Sequence, residues 1–581
     1  MQALKSLLFC ILLLLAPAAM AEEQEQEPDA ALQALAARFF EWRRIQQPVT
    51  GDDIPRVERP DRWVPDFSPE ALDVYRERYL LFLQAVDHLL ELHEAGWNIA
   101  NQVDARLLKA AIERVHWELD VLQLPQRNPL FYLDQTLGSI FELLVLSTPI
   151  TASRAENILL RMEHFPVTLK AARKNLEDQA VRPFAAAAIE TLEGIDERLL
   201  AVQAALKNEF PAELESRLDS ATRSAIRALK KYRKWLQSEL DEMQPAFAIG
   251  PHEYQWFLSH VALIPYTPEE LLAQGQKAWS RSVAWDVIEK NRNRDLPEMP
   301  LFRSADHQIK AAALKENEIR AFLESRNLMT VPGWLQHYHS REMPDYLRPL
   351  SFMGVNDDLT SENRLDEDAF RYILEPAPDL SYFQLASARD PRPLIIHEGV
   401  PGHYFQLALS WANPDPIRRR YIDSGANEGI GFYVEELLLQ AGLFDYSPGT
   451  REIIYSFMRL RALRVEIDIR LAVGDFTIEQ AGDYLARAVP MDRETAIAEA
   501  VFFAFNPGQA ISYQIGKLQI LQFLTDAKLD QGEDFSLRHF HDSLMENGNV
   551  PIALQRWQYL GQIDEVQRLE VLGGTPVTVP E

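Results

Sequence analysis

Apolar residues recur at helical spacing over long stretches of the chain, and this pattern predicts a mostly α-helical molecule. Ser68-Pro69-Glu70-Ala71 has the layout of a helix start: a side-chain acceptor, a proline, then an acid in the first turn. The helix it opens should run to residue 92. Similar patterns cover residues 101–124, 152–176, 183–206 and 213–242. Together they predict a first lobe of long antiparallel helices, residues 68–245. A Pro-rich break at 245–251 ends it. Thr267-Pro268-Glu269-Glu270 opens a further helix over 268–291, and another is expected over 305–326. Residues 348–355 read as a short strand. Residues 356–393, with Pro376, Pro378, Pro391 and Pro393, read as loop, and helical spacing returns over 394–572. The second lobe is therefore placed at 246–581. The expected architecture is two helical lobes around a cleft, with little β structure. The basic run from Arg227 to Lys234 is read as a solvated helix face.

The N-terminus indicates the compartment. Lys5, an apolar run over residues 7–15 and Ala19-Met20-Ala21 before the acidic Glu22 form the layout of a cleavable signal peptide, residues 1–21. The run is short against the roughly 20 apolar residues of a membrane span. Export, to the periplasm, is expected, with no stable membrane insertion after cleavage. Residues 22–67 read as an acidic leader and a proline-broken segment. Cys10 is the only cysteine. It follows Phe9, where a lipid-attachment site would place a small residue, so it is not read as a lipid anchor. The mature chain then has neither disulfide nor thiol chemistry, and its core alone must hold it together. The net charge is −27, and loss of Lys5 makes it −28. Such a surface repels phosphate backbones and anionic lipid, so no nucleic-acid partner is expected. The oligomeric state is not legible. There is no internal repeat, no Gly-rich phosphate loop and no G-x-S-x-G turn.

Residues 394–409, LIIHEGVPGHYFQLAL, hold the main chemical signal. In H-E-x-x-H sites two histidines one helical turn apart chelate zinc, and the glutamate beside the first is the general base. Here His397 and His403 are six apart, which on an ideal helix separates them by about 240°. A regular helix cannot chelate with this pair. Pro401 clashes with the carbonyl four residues back, that of His397, and Gly402 relaxes the backbone. A widened turn would bring His403 under His397. Two helices meeting at a Pro-Gly corner, with ordinary histidines at the joint, would explain the same spacing. Residues 426–440, ANEGIGFYVEELLLQ, supply a carboxylate. A catalytic zinc commonly takes two histidines and one acid, and Glu428 is the candidate third ligand. Glu435, two turns on, is placed to orient a ligand histidine. Glu436 is read as a solvated helix face. Residues 506–518, NPGQAISYQIGKL, put Tyr513 and Lys517 on one helical face. A tyrosine hydroxyl at a developing oxyanion is a common device in acyl transfer.

Together these segments resemble the domain-of-unknown-function family 885, a bacterial family regarded as candidate zinc metallopeptidases. Its hallmarks are His-Glu-x-x-Pro-Gly-His, Glu-Gly-Trp-x-x-Tyr-x-Glu and Pro-x-Gln-Ala-x-x-Tyr. The chain carries His397 through His403, Glu428-Gly429 with Tyr433 and Glu435, and Pro507-Gly508-Gln509-Ala510 with Tyr513. The likeness covers residues 390–550 well. More widely it extends to helical metallopeptidases of the angiotensin-converting enzyme and carboxypeptidase Taq types, with dipeptidyl peptidase III as a precedent for the longer histidine spacing. The resemblance implies one zinc ion on His397, His403 and Glu428, with Glu398 as base, Tyr513 at the oxyanion and a peptide as substrate. Asn427, Glu435, Gln509, Lys517 and His541 are the expected supporting or substrate-facing groups. Four positions depart from the family pattern: Tyr404 for a further histidine, Ile430 for tryptophan, Ala472 for histidine and Phe502 for arginine. Two other classes stay open at this point: a binding or scaffolding protein that keeps the fold, and a hydrolase of a non-peptide amide.

Overall fold

The computed structural model describes residues 28–51, 56–359 and 365–574. The leader with Lys5 and Cys10, and the expected cleavage after Ala21, lie outside the described residues. What is described is predominantly helical, with one small sheet. Helices begin where capping chemistry predicts. Ser68 accepts a hydrogen bond from the Ala71 amide ahead of Pro69–His93. Thr267 and Glu270 cap each other reciprocally ahead of Pro268–Arg292, satisfying amides that lack intrahelical partners.

Three elements differ from expectation. The helix read over 183–206 is two, Arg182–Thr191 and Ile195–Leu206, parted at Gly194 with φ +65°. The one read over 101–124 is α-helical over Ile99–His116 and then widens into a π-turn over Trp117–Val121. The strand expected at 348–355 is absent: Arg348–Met353 is a 3-10 turn, because Pro349 fixes φ and lacks the N–H a ladder needs. The strands lie elsewhere, partly in the stretch read as loop. β1 (Tyr338–Glu342), β2 (Asp357–Asp358) and β3 (Ala369–Ile373) form a sheet in the order β1-β3-β2. β1 runs parallel to β3 and β2 antiparallel, with Asp357 opposite Arg371.

The first lobe packs around residues such as Phe39, Phe82, Leu107 and Ile140. The same core takes in Tyr346, Phe370, Tyr421 and Trp557 from far along the chain, so the two lobes share apolar packing. A second core around Phe405, Phe432, Phe523 and Phe540 holds the helices that carry the site. No helix among the described residues is long and apolar enough to cross a membrane.

Candidate metal centre

The six-residue histidine spacing is accommodated by a widening followed by a break. Ile395–Gly399 forms one π-turn, which places an extra residue in the turn. Val400 is then extended (φ −119°, ψ 122°), the Val400–Pro401 peptide is cis, and a new helix starts, His403–Ala412. The widened turn and the Pro-Gly corner thus each describe part of the segment. Gly402 is required by close approach, since a Cβ there would lie 1.8 Å from the His397 carbonyl oxygen. The two imidazoles face one another with centroids 4.7 Å apart and planes at 80°.

Glu428 arrives on the helix Ser424–Gln440, capped by Asp423, which accepts from the Ala426 amide at 2.9 Å. Its Oε2 stands 3.2 Å from His397 Nε2 and 3.4 Å from His403 Nε2. Room for the rings comes from Gly431, where a Cβ would sit 2.9 Å from His397 Cε1 and 3.1 Å from His403 Cε1. Glu435 holds His397 Nδ1 at 2.7 Å, and Arg461 of the helix Pro448–Val473 holds Glu435 at 2.8 Å. None of the three converging residues is more than 4 % exposed, so their polar atoms are largely withdrawn from bulk water. Burial works against ionising Glu428, yet the two imidazoles outweigh it and hold its carboxyl well below the usual range. Burial and the Arg461 guanidinium oppose a proton on His397. The contacts with Glu428 and Glu435 win, and its pKa rises to about 9. The cluster therefore seeks positive charge between its ring nitrogens and carboxylates.

Glu398 follows His397 but is held by the sheet. Arg371 on β3 lies 3.3 Å from Glu398 Oε1 and 3.3 Å from Asp357 Oδ2, and Tyr338 on β1 donates to Asp357. Burial opposes its charge, but Arg371 and the two histidines keep its pKa below the ordinary value. Glu398 is thus anchored as an anion beside the two imidazoles.

Tyr513 comes from the helix Gln509–Gln531, which meets the Glu428 helix backbone to backbone. A Cβ on Gly516 would lie 2.1 Å from the Gly425 carbonyl oxygen and 2.7 Å from the Gly429 Cα. The Tyr513 ring stacks on His397 at 6.1 Å and 16°, with the Arg461 and Arg464 guanidinia 5.4 and 5.0 Å from its centroid. Asp468 orients this helix by accepting from the Gly508 and Ala510 amides, at 2.9 and 2.8 Å, and from the Tyr254 hydroxyl. Asp468→Ala would strand buried donors at about 1–3 kcal/mol each. We expect a lowered denaturation midpoint. An unchanged midpoint in chemical denaturation would show that Asp468 does not hold the helix.

Two cavities meet at Glu428 and Gln509. The larger, of about 1130 Å³, is also lined by His397, Glu398, His403 and Tyr513. The smaller, of about 760 Å³, is lined by Asn427, Asn506 and Ser512 among others. Lys517 and His541 line neither. Lys517 lies in the packing between helices, with Nζ 2.8 Å from Glu436 and 3.8 Å from the centre of the Phe432 ring. Glu436 is accordingly no solvated face. It is buried between Lys517 and Arg281. His541 is fully buried, with Nδ1 2.7 Å from the Leu328 carbonyl and Nε2 2.8 Å from the Tyr433 hydroxyl. Its role there is structural. Sequence reasoning missed Arg371, Arg461, Arg464 and Glu499. The i, i+3 pair Arg461 and Arg464 on one helix was the signal available for two of them.

The profile of a family described as "Bacterial protein of unknown function (DUF885)" matches residues 49–290 and 369–557, more than half of the chain. A search of curated proteins gave no match. Among solved structures, a putative lipoprotein of unknown function from Shewanella oneidensis superposes with a TM-score of 0.69 at 17% identity. The match covers 92% of this chain and 100% of that one. A putative lipoprotein from Colwellia psychrerythraea gives 0.65 at 17% identity, covering 94% and 99%. At this identity the likeness is one of fold. The chain belongs to the DUF885 family.

Proposed function

We propose that the protein is an exported zinc peptidase that hydrolyses peptide bonds with water. The strongest support is the convergence of two imidazole nitrogens on one carboxylate oxygen, at 3.2 and 3.4 Å. Atoms bound to a tetrahedral zinc at about 2.0–2.2 Å lie about 3.3–3.6 Å apart, so the donor set fits this ion. Beyond Glu428, the buried His403 ring has no hydrogen-bond partner among the described residues. Its Nδ1 is the atom left buried without a hydrogen-bond partner among the described residues.

His397, His403 and Glu428 would hold the ion, which would polarise a water molecule and lower its pKa towards about 7. Glu435 Oε1 lies 2.7 Å from His397 Nδ1, and the opposite nitrogen, Nε2, faces Glu428. Glu398 takes the proton of the attacking water as its oxygen bonds to the carbonyl carbon. It then delivers that proton to the leaving nitrogen as the C–N bond breaks. Tyr513 is assigned to the carbonyl oxygen as negative charge builds there.

Elemental analysis of the purified protein should give one zinc per chain, and His397→Ala and Glu428→Ala should lose it. Chelation should abolish cleavage of a short-peptide library and zinc should restore it. Protein grown with ample zinc yet purified without metal would sink the site. Zinc without cleavage of any peptide would favour a binding protein. Export is supported by the leader sequence and by the lipoprotein description of two proteins of the same fold. Periplasmic location is part of the proposal. N-terminal sequencing of the exported protein should read from Glu22, and a retained Met1 would overturn cleavage.

A further inference from the structure

We infer that the larger cavity contains a pocket for a bulky apolar side chain, aromatic by preference, next to the peptide bond that is cut. This inference rests on the peptidase reading. The cavity has a polar floor, with His397, Glu398, His403 and Glu428, and a wall of different chemistry. That wall is formed by Leu130, Phe383, Val501, Phe502 and Phe505. All five are only partly buried. On the helix Arg493–Phe505, Ala500, Phe503 and Ala504 are buried, while Val501, Phe502 and Phe505 are not. The helix thus lends apolar surface to the cleft as well as to the core.

Ring contacts join the wall to the centre. Tyr513 stacks on His397 at 6.1 Å, and Arg464 lies 5.0 Å from the Tyr513 ring, 5.3 Å from Phe503 and 5.9 Å from Phe383. Arg464 is already paired with Glu499 at 2.5 Å, so it offers a flat stacking surface rather than a free charge. Phe502 and Phe505 stand edge to face at 5.4 Å and 81°, an arrangement that a third ring extends. A charged side chain against these rings would lose hydration, and the nearest guanidinia are already engaged, Arg464 with Glu499 and Arg461 with Glu435. The charged residues Arg493 and Glu494 sit at the exposed rim.

Two measurements test the pocket. In the first, the zinc-loaded protein receives short peptides identical except at one position, occupied by Phe, Leu, Ser or Asp. Phe should be preferred over Ser in kcat/KM by at least the roughly 10–200-fold that small apolar differences supply. Phe502→Asp should remove that preference, read as the Phe-to-Ser ratio of kcat/KM. Phe502→Ala, which adds no charge, should weaken it partly. Cleavage with equal rates for all four peptides would overturn the pocket and leave the peptidase standing. In the second, calorimetry on the chelated protein compares the Phe and Ser peptides without any reaction. Tighter binding of the Phe peptide, lost in Phe502→Asp, supports the pocket even if no peptide is cleaved, an outcome that would count against the peptidase. Equal binding of both peptides overturns the pocket.

Discussion

Glu398→Gln should keep its zinc and its fold and lose about 10²–10⁴-fold in peptide hydrolysis, the range that general acid–base groups contribute. The geometry separates its role from that of its neighbour. His397 faces Glu428 and His403, whereas the Glu398 carboxylate reaches Arg371 at 3.3 Å. The proposed ligand and the proposed base can sit side by side in the chain because the π-turn over Ile395–Gly399 and the sheet take hold of them separately. The glutamine keeps the size and one acceptor but cannot take a proton. Turnover measured beside metal content decides the matter. If Glu398→Gln loses zinc while Glu428→Ala retains it, the two carboxylates have been assigned the wrong way round. Arg371→Met should move the same readout differently. It frees Glu398 from its cation, so the acid limb of the kcat/KM profile should shift to higher pH, since the opposing charge that lowered the Glu398 pKa is gone. Loss of rate without a shift would mean that Arg371 serves the fold alone.

The second large effect is expected from Gly516→Ala. In the middle of an exposed helix this change stabilises by up to about 1 kcal/mol. Here the sign should reverse, because the new methyl group would stand 2.1 Å from the Gly425 oxygen and 2.7 Å from the Gly429 Cα. Both obstacles are backbone and have no rotamer by which to move aside. Overpacking typically costs about 1–3 kcal/mol. The two helices must part, and they carry Glu428 and Tyr513. Displacements near 1 Å at reacting groups cost about 10²-fold in rate. The variant should therefore lose denaturation midpoint, zinc affinity and turnover together. Parent-like values in all three would show that the close helix contact does not hold the site.

The site was partly legible because metal ligands and their neighbours come in short local runs. His397, Glu398, His403, Glu428 and Glu435 could be named from two segments, and the mismatch between six residues and a helical turn pointed to an irregular backbone. The groups that escaped depend on partners remote in the chain. Arg371 reaches Glu398 from a strand in a stretch whose prolines suggested loop, and the strand is only five residues long. Glu436 looked like one more surface acid because its partner Lys517 lies 81 residues on. Lys517 shares a helical face with Tyr513, yet that face is divided between the cleft and a helix–helix contact. His541 has the residue type of a site, and only packing reveals that its two nitrogens bind Leu328 and Tyr433.

The glycine contact also bears on how the cleft can move. Helices separated by side chains slide past one another as rotamers adjust. Gly425, Gly429 and Gly516 leave no such cushion, so the Glu428 helix and the Tyr513 helix form a single stiff body. Any hinge that admits a long peptide must lie outside that body. Glu398 is tied to the sheet rather than to those helices. Breathing of the cleft would then change the distance from Glu398 to Glu428 and Tyr513 while those two keep theirs, so the proposed proton transfer would sense closure whereas the spacing of Glu428 and Tyr513 would not.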